Sequence, residues 1–135
     1  MGLGLPAVPN EHIQKARDTG AVSYQAGLSA ELCVARDYER RGYPIVQTRW
    51  RGQTGEIDLI ARDGDGLIFI EVKKSRTFAR AAERLSKAQM RRIYASAEEY
   101  LGTQPQGQLT DVRFDVALVD GQGAVRLIEN AFGHF

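Results

Sequence analysis

The chain has 135 residues, 43% hydrophobic and 26% charged, with a formal net charge of +1, a length that suits one domain burying about two thirds of its unfolded surface without a covalent staple. Its one cysteine, Cys33, excludes an internal disulfide, and His12 and His134 are too few for a zinc-type ligand cluster. The N-terminus has no basic leader and no run approaches about 18 apolar residues, so neither a signal peptide nor a membrane span is indicated and a cytoplasmic protein is expected.

In chain order, residues 1–22 contain Pro6, Pro9 and scattered glycines without periodicity, and read as a flexible N-terminal arm ahead of a single domain over 23–135. The first helix is expected from Ser23, an N-cap residue type, to Arg41, where Gly42 offers a stop. Leu28, Glu31, Leu32 and Ala35 fall at i, i+3, i+4 and i+7, placing Glu31 on or beside the apolar stripe. Tyr43 to Arg51 reads as a strand with Pro44 near its start. Trp50, flanked by Arg49 and Arg51, suits base stacking or a phosphate contact, although a tryptophan in a strand is more often core.

After the Gly52–Gly55 turn come two apolar runs, Gly55 to Ala61 and Leu67 to Lys74, separated by Arg62-Asp63-Gly64-Asp65-Gly66. Residues tolerant of φ > 0 between Ile- and Val-rich runs predict a β-hairpin. Both runs carry charges where burial is expected. Alternation puts Glu71 and Lys73 on one face of their strand and keeps Glu56 and Asp58 together on the other strand. Desolvated charges need compensation. One reading is an internal Asp58–Lys73 or Glu71–Lys73 ion pair, or a strand face open to water. The other is a divalent metal site, since hard cations such as Mg²⁺ take carboxylate oxygens beside a substrate phosphate that a lysine can also hold.

A polar link over Ser75–Ala79 leads to an expected helix from Arg80 to Leu101. Its inner stripe is Ala82, Leu85, Gln89, Ile93, Ala97 and Tyr100, and a basic row runs through Arg80, Arg84, Lys87 and Arg91. Two more strands are expected over Asp111–Asp120 and Ala124–Asn130. Charge is uneven along the chain. Residues 73–92 hold eight basic side chains against Glu83, whereas residues 98–135 hold six acids against Arg113 and Arg126. A basic block beginning at the acidic strands suits a polyanion such as nucleic acid, with Lys74, Arg76, Arg84, Lys87 and Arg91 as its contacts; a solvated helix face is the default alternative.

Asp58 followed thirteen positions later by Glu71-Val72-Lys73 resembles the Asp…Glu-X-Lys signature of restriction-endonuclease-like nucleases. The wider wording resembles the YraN family, an uncharacterised bacterial family described as predicted endonucleases akin to Holliday-junction resolvases. The matching stretches are Gly42-Tyr43, Trp50-Arg51, Gly55 to Ala61, Glu71-Val72-Lys73, Lys87, Arg113 to Val116 and Asn130-Ala131-Phe132, covering about residues 27 to 132. The long Gly-Glu-Ile-Asp-Leu-Ile-Ala string is the specific part.

The resemblance implies an α/β fold with α-β-β-β-α-β order and a mixed sheet flanked by helices. It implies a metal-dependent endonuclease acting on DNA, branched or damaged DNA included, with Mg²⁺ or Mn²⁺ held by Asp58 and Glu71. An acid of the first helix, here Glu31, would complete the site, with Glu56 a weaker candidate and Lys73 as the catalytic cation. Resolvase-like action would call for a homodimer, whose surface the sequence does not delineate. The alternative is a non-catalytic nucleic-acid-binding or adaptor module on the same fold.

Overall fold

The computed structural model describes residues 19–132, with side chains from residue 29 onward. The order is α1 (Thr19–Arg40), β1 (Ile45–Arg51), β2 (Glu56–Asp63), β3 (Gly66–Lys74), α2 (Phe78–Glu83), α3 (Lys87–Leu101), a 3-10 turn (Gly107–Leu109), β4 (Val112–Val119) and β5 (Val125–Ile128). The expected arm over 1–22 lies outside the described residues as far as residue 18; residues 19–22 belong to α1, which starts before Ser23.

The five strands form one sheet in the order β1-β2-β3-β4-β5. The β1/β2, β2/β3 and β4/β5 pairs are antiparallel, and β3/β4 is parallel from Leu67↔Val112 to Lys74↔Val119. A parallel pair needs a crossover, and α2 and α3 supply it. The β2–β3 hairpin closes through Gly64 at φ 60°, the left-handed conformation the Asp-Gly-Asp-Gly stretch predicted. This is the α/β, mixed-sheet arrangement expected from the sequence, with β5 added beyond the α-β-β-β-α-β core.

Strand alternation gives the sheet two apolar faces. Ile60, Leu67, Phe69, Phe114, Val116 and Leu118 pack under Ala81, Ile93, Ala97, Tyr100 and Leu101 of the α2/α3 side. Leu59, Ala61, Ile68, Ile70, Ala117 and Val119 pack under Ala30, Val34 and Tyr38 of α1. Trp50 takes the core role, edge-on to Tyr100 at 5.2 Å between ring centroids. α1 ends as Gly42 required: Gly42 sits at φ 94°, its N–H donates to the Glu39 carbonyl and that of Tyr43 to the Tyr38 carbonyl, the paired bonds of a Schellman stop.

Two expectations need correction. The stripe of α1 that meets the sheet is Ala30, Val34 and Tyr38, while Leu32 is 54% exposed and Leu28 falls outside the described side chains. A small alanine and a tyrosine whose hydroxyl is satisfied inside made the true stripe look weak. The helix expected over Arg80–Leu101 is two helices. The Thr77 hydroxyl accepts the Arg80 N–H and the Ser86 hydroxyl accepts the Gln89 N–H, both at 3.1 Å, so each opens its own helix as an N-cap. The break exposes Ala82 and buries Ala81 instead.

Candidate functional site

The β2/β3 ladder stops at Leu59↔Ile70, although β3 stays paired with β4 through Lys74. Beyond that point β2 peels away, and the Asp58 side chain fills the gap: its Oδ2 accepts the Val72 N–H at 2.8 Å. Without that carboxylate, a backbone donor on a central strand would lose its partner. Glu71, next to Val72 on β3, has its side chain 8% exposed. Its Oε2 accepts from Lys73 Nζ at 2.9 Å and from Gln89 Nε2 at 2.7 Å. The internal ion pair is therefore Glu71–Lys73.

The two carboxyl groups lie close enough for the charge of Asp58 to act on Glu71. Burial, and then the charge of Asp58, pushes the Glu71 carboxyl up to about 7, against the pull of Lys73. Burial likewise raises Asp58, opposed by the Val72 N–H, by Glu71 and by Lys73. Two neighbouring carboxyl groups, both raised by burial, are the pattern of groups whose joint ionisation a further cation favours.

Glu31 is also raised, by burial first and then by the charge of Asp58, with Arg49 opposing. It is 15% exposed and its Oε1 accepts from Arg49 Nε at 3.0 Å. Glu56 receives Arg51 at 3.2 Å and stands 4.0 Å from Arg49. Among the described residues no three acidic, imidazole or thiol groups converge on one ion position. The structure thus brings together Asp58, Glu71 and Lys73, and leaves Glu31 on an arginine. Two carboxylates, one buried and both perturbed, match the donor set of Mg²⁺, which uses one or two protein carboxylates and fills its other positions with water and phosphate. Asp58 and Glu71 fit the ion; Glu31 as placed does not complete it.

The residues assigned to nucleic acid divide in the same way. Lys87 and Arg91 lie one turn apart on exposed positions of α3, and Arg76 is exposed on the link from β3. Lys74 ends β3, half-buried. Arg84 is exposed but donates to the Lys74 carbonyl at 2.9 Å, tying α2 to the end of β3. Gln89 is the residue whose part the sequence left open. Its amide reaches Glu71 because the Ser86 cap starts α3 just ahead of it, and the Ser-x-x-Gln wording was the available signal.

A model of the family described as "Uncharacterised protein family UPF0102" matches residues 30–119 of the chain. A UPF0102 protein of Ruegeria pomeroyi is 61% identical over 115 residues, covering 85% of this chain and 94% of its own. One of Roseobacter denitrificans is 57% identical over 112 residues, 83% of this chain and 87% of its own. A third, of Dinoroseobacter shibae, is 44% identical over 122 residues, 90% of each chain. Among the described residues, no helix is long and apolar enough to cross a membrane.

Proposed function

The chain belongs to the uncharacterised protein family UPF0102, the YraN family its sequence resembles, and we propose that it is a Mg²⁺- or Mn²⁺-dependent endonuclease hydrolysing phosphodiester bonds of DNA. The observation that carries this reading is the convergence of Asp58, held on the Val72 N–H, and the buried Glu71 beside Lys73, at the point where β2 leaves β3. A site assembled only for stability would neutralise its acids with fixed partners. This one retains an unmet demand for positive charge.

Bound there, a divalent ion would activate water and offset the charge of the phosphate. The protein's own residues do the rest. Asp58, anchored by the Val72 N–H, and Glu71, anchored by Gln89, present oxygens at fixed positions on two strands. Loss of the proton that Glu71 takes at about 7 readies the pair for the ion. The Lys73 ammonium, 15% exposed, stands where it can exchange Glu71 for a phosphate oxygen and stabilise charge developing there. Lys74, Arg76, Lys87 and Arg91 lie along the chain that follows, and would hold the flanking backbone of the DNA through charge alone.

The Lys73–Glu71 ion pair favours a second reading, a nucleic-acid-binding module whose acids are structural. Incubation with linear, single-stranded, flapped and four-way DNA, in Mg²⁺ or Mn²⁺ against EDTA, separates the two. Metal-dependent cleavage of any substrate is the expected result. Binding without cleavage in all of them leaves the adaptor reading. In either case four phosphate contacts give a log–log salt slope of roughly −3 to −4, and a slope near zero removes nucleic acid as the partner.

A further inference from the structure

Arg49 is a residue the proposed chemistry leaves unused, and its backbone is unusual. It lies inside β1, at φ 51°. Side chains with a Cβ rarely adopt that conformation, and the other non-glycine that does so among the described residues is Asn130, a type that tolerates it. The pairs Thr48↔Leu59 and Trp50↔Ile57 bracket it, so the register sets Arg49 opposite Asp58. The left-handed turn of the backbone is accompanied by an ion pair that strand geometry alone would not predict: Arg49 Nε lies 3.0 Å from Glu31 Oε1, and Nη1 lies 4.0 Å from Glu56 Oε2.

Resting on the metal-site reading above, we propose that Arg49 is the resident cation of this acid cluster, holding Glu31 on the rim and yielding it to a divalent ion bound by Asp58 and Glu71. The chemistry supports an exchange. A guanidinium and a divalent cation satisfy the same carboxylate oxygens, and both cannot occupy them at close range because like charges repel in a partly dry site. Glu31 is nearly buried and paired to Arg49, so it has little water to return to when the pair breaks. Arg49, and with it Glu31, stands beside Asp58 across the strand pair, so an ion held by Asp58 is the alternative partner on offer. Arg49 thereby acts as a positioning residue: it keeps the cluster neutral without metal and sets how readily the third carboxylate joins.

The test is Mn²⁺ binding, read by calorimetry in the absence of DNA, for the unmodified protein, Arg49→Asn, Glu31→Gln and the double variant. Asparagine suits the left-handed backbone, so the fold is expected to survive; Arg49→Gly, which suits it equally, is the second variant, and circular dichroism verifies both. Either Arg49 variant should bind Mn²⁺ roughly five- to tenfold more tightly, within the coupling range of directly paired groups. Adding Glu31→Gln should cancel that gain. No tightening, or tightening that persists without Glu31, overturns the exchange. Mn²⁺ affinity that is equal in the unmodified protein and in Asp58→Asn overturns the metal site itself, whatever the Arg49 variants do, and no binding in any of the proteins overturns both.

Discussion

Asp115 and Glu71 are buried acids on neighbouring strands, and the protein compensates them differently. Asp115, fully buried, lies across from Ile70 and faces α1. It accepts from the Tyr38 hydroxyl at 2.6 Å, from Arg113 through two bonds of 2.9 Å and from the Asn130 N–H at 2.9 Å. These partners fasten α1, β4 and the chain after β5 to one carboxylate, and the arrangement raises both the Arg113 and the Tyr38 titrations, for Arg113 chiefly through the bond to Asp115 and for Tyr38 chiefly through burial. Glu71, one residue further along β3, faces the other side. It has Lys73, Gln89 and the opposing charge of Asp58 beside it. Equal burial with unequal satisfaction distinguishes an acid that fastens the fold from one kept available for a ligand.

The largest expected effect breaks the fastened side. Asp115→Ala leaves a bidentate arginine, a buried hydroxyl and a backbone N–H without their acceptor, and should cost about 3 to 5 kcal/mol of stability. Chemical denaturation measures it directly; a loss under about 1 kcal/mol would mean that burial without satisfaction is as well tolerated there as at Glu71. Asp58→Asn should do the reverse. The amide oxygen can still accept the Val72 N–H, while the repulsion of Glu71 disappears, so stability should hold or rise. Metal-dependent cleavage should fall by about a hundredfold or more, the scale of losing one charge-stabilising group. Melts and cleavage assays on that variant read the two halves separately. A large stability loss with unchanged cleavage would make Asp58 another Asp115.

These acids were visible in the sequence to different degrees. Asp58, Glu71 and Lys73 stood out because charges in Ile- and Val-rich strands violate the expected pattern, and strand alternation brought Glu71 and Lys73 to one side. Asp115 followed the same alternation, but its partners Tyr38 and Asn130 are 77 and 15 positions away, a distance that periodicity cannot bridge. The Glu31–Arg49 pair was hidden for another reason: it depends on a positive φ within a strand, which no local propensity of arginine predicts. The split of the second long helix was legible in Ser86, yet a continuous apolar period across it outweighed one capping residue. The order of elements survived these misses because turn glycines and strand composition fix it locally.

The pH dependence of stability sharpens the contrast next. Glu71 takes its proton at about 7 in the folded protein against an ordinary value of 4.5. Between those values the native state holds more protons than the unfolded one, so this group makes stability fall as pH rises from about 4.5 to 7 and adds no slope outside that window. Its share is about 1 to 3 kcal/mol. Asp58→Asn should flatten the slope by removing the second cause of the shift. Denaturation curves at intervals across the window check this, and an equal slope in the variant would show that the charge of Asp58 does not act on Glu71.

The smallest expected effect concerns Gln89, which is neither charged nor a candidate ligand. Its amide donates to Glu71 Oε2 at 2.7 Å, and that same oxygen receives Lys73 at 2.9 Å. Two donors on one oxygen fix the direction of the other, the one free to turn toward Asp58 or an ion. Gln89→Leu keeps a side chain of similar size against the α3 side and removes only the donor. Glu71 then gains rotational freedom, and residues that orient a metal ligand typically cost 10- to 100-fold in affinity or activity when lost. Lys73 still restrains Glu71, so a loss near tenfold is expected in Mn²⁺ affinity, with DNA binding in EDTA unchanged because no phosphate contact is removed. Gln89→Glu is the opposing variant: it places a third acid beside the pair, should push the Glu71 titration further up, and should weaken metal binding at pH 6 more than at pH 8. Equal Mn²⁺ affinity in the unmodified protein and Gln89→Leu would return Gln89 to a packing role and leave Lys73 alone in charge of Glu71's orientation.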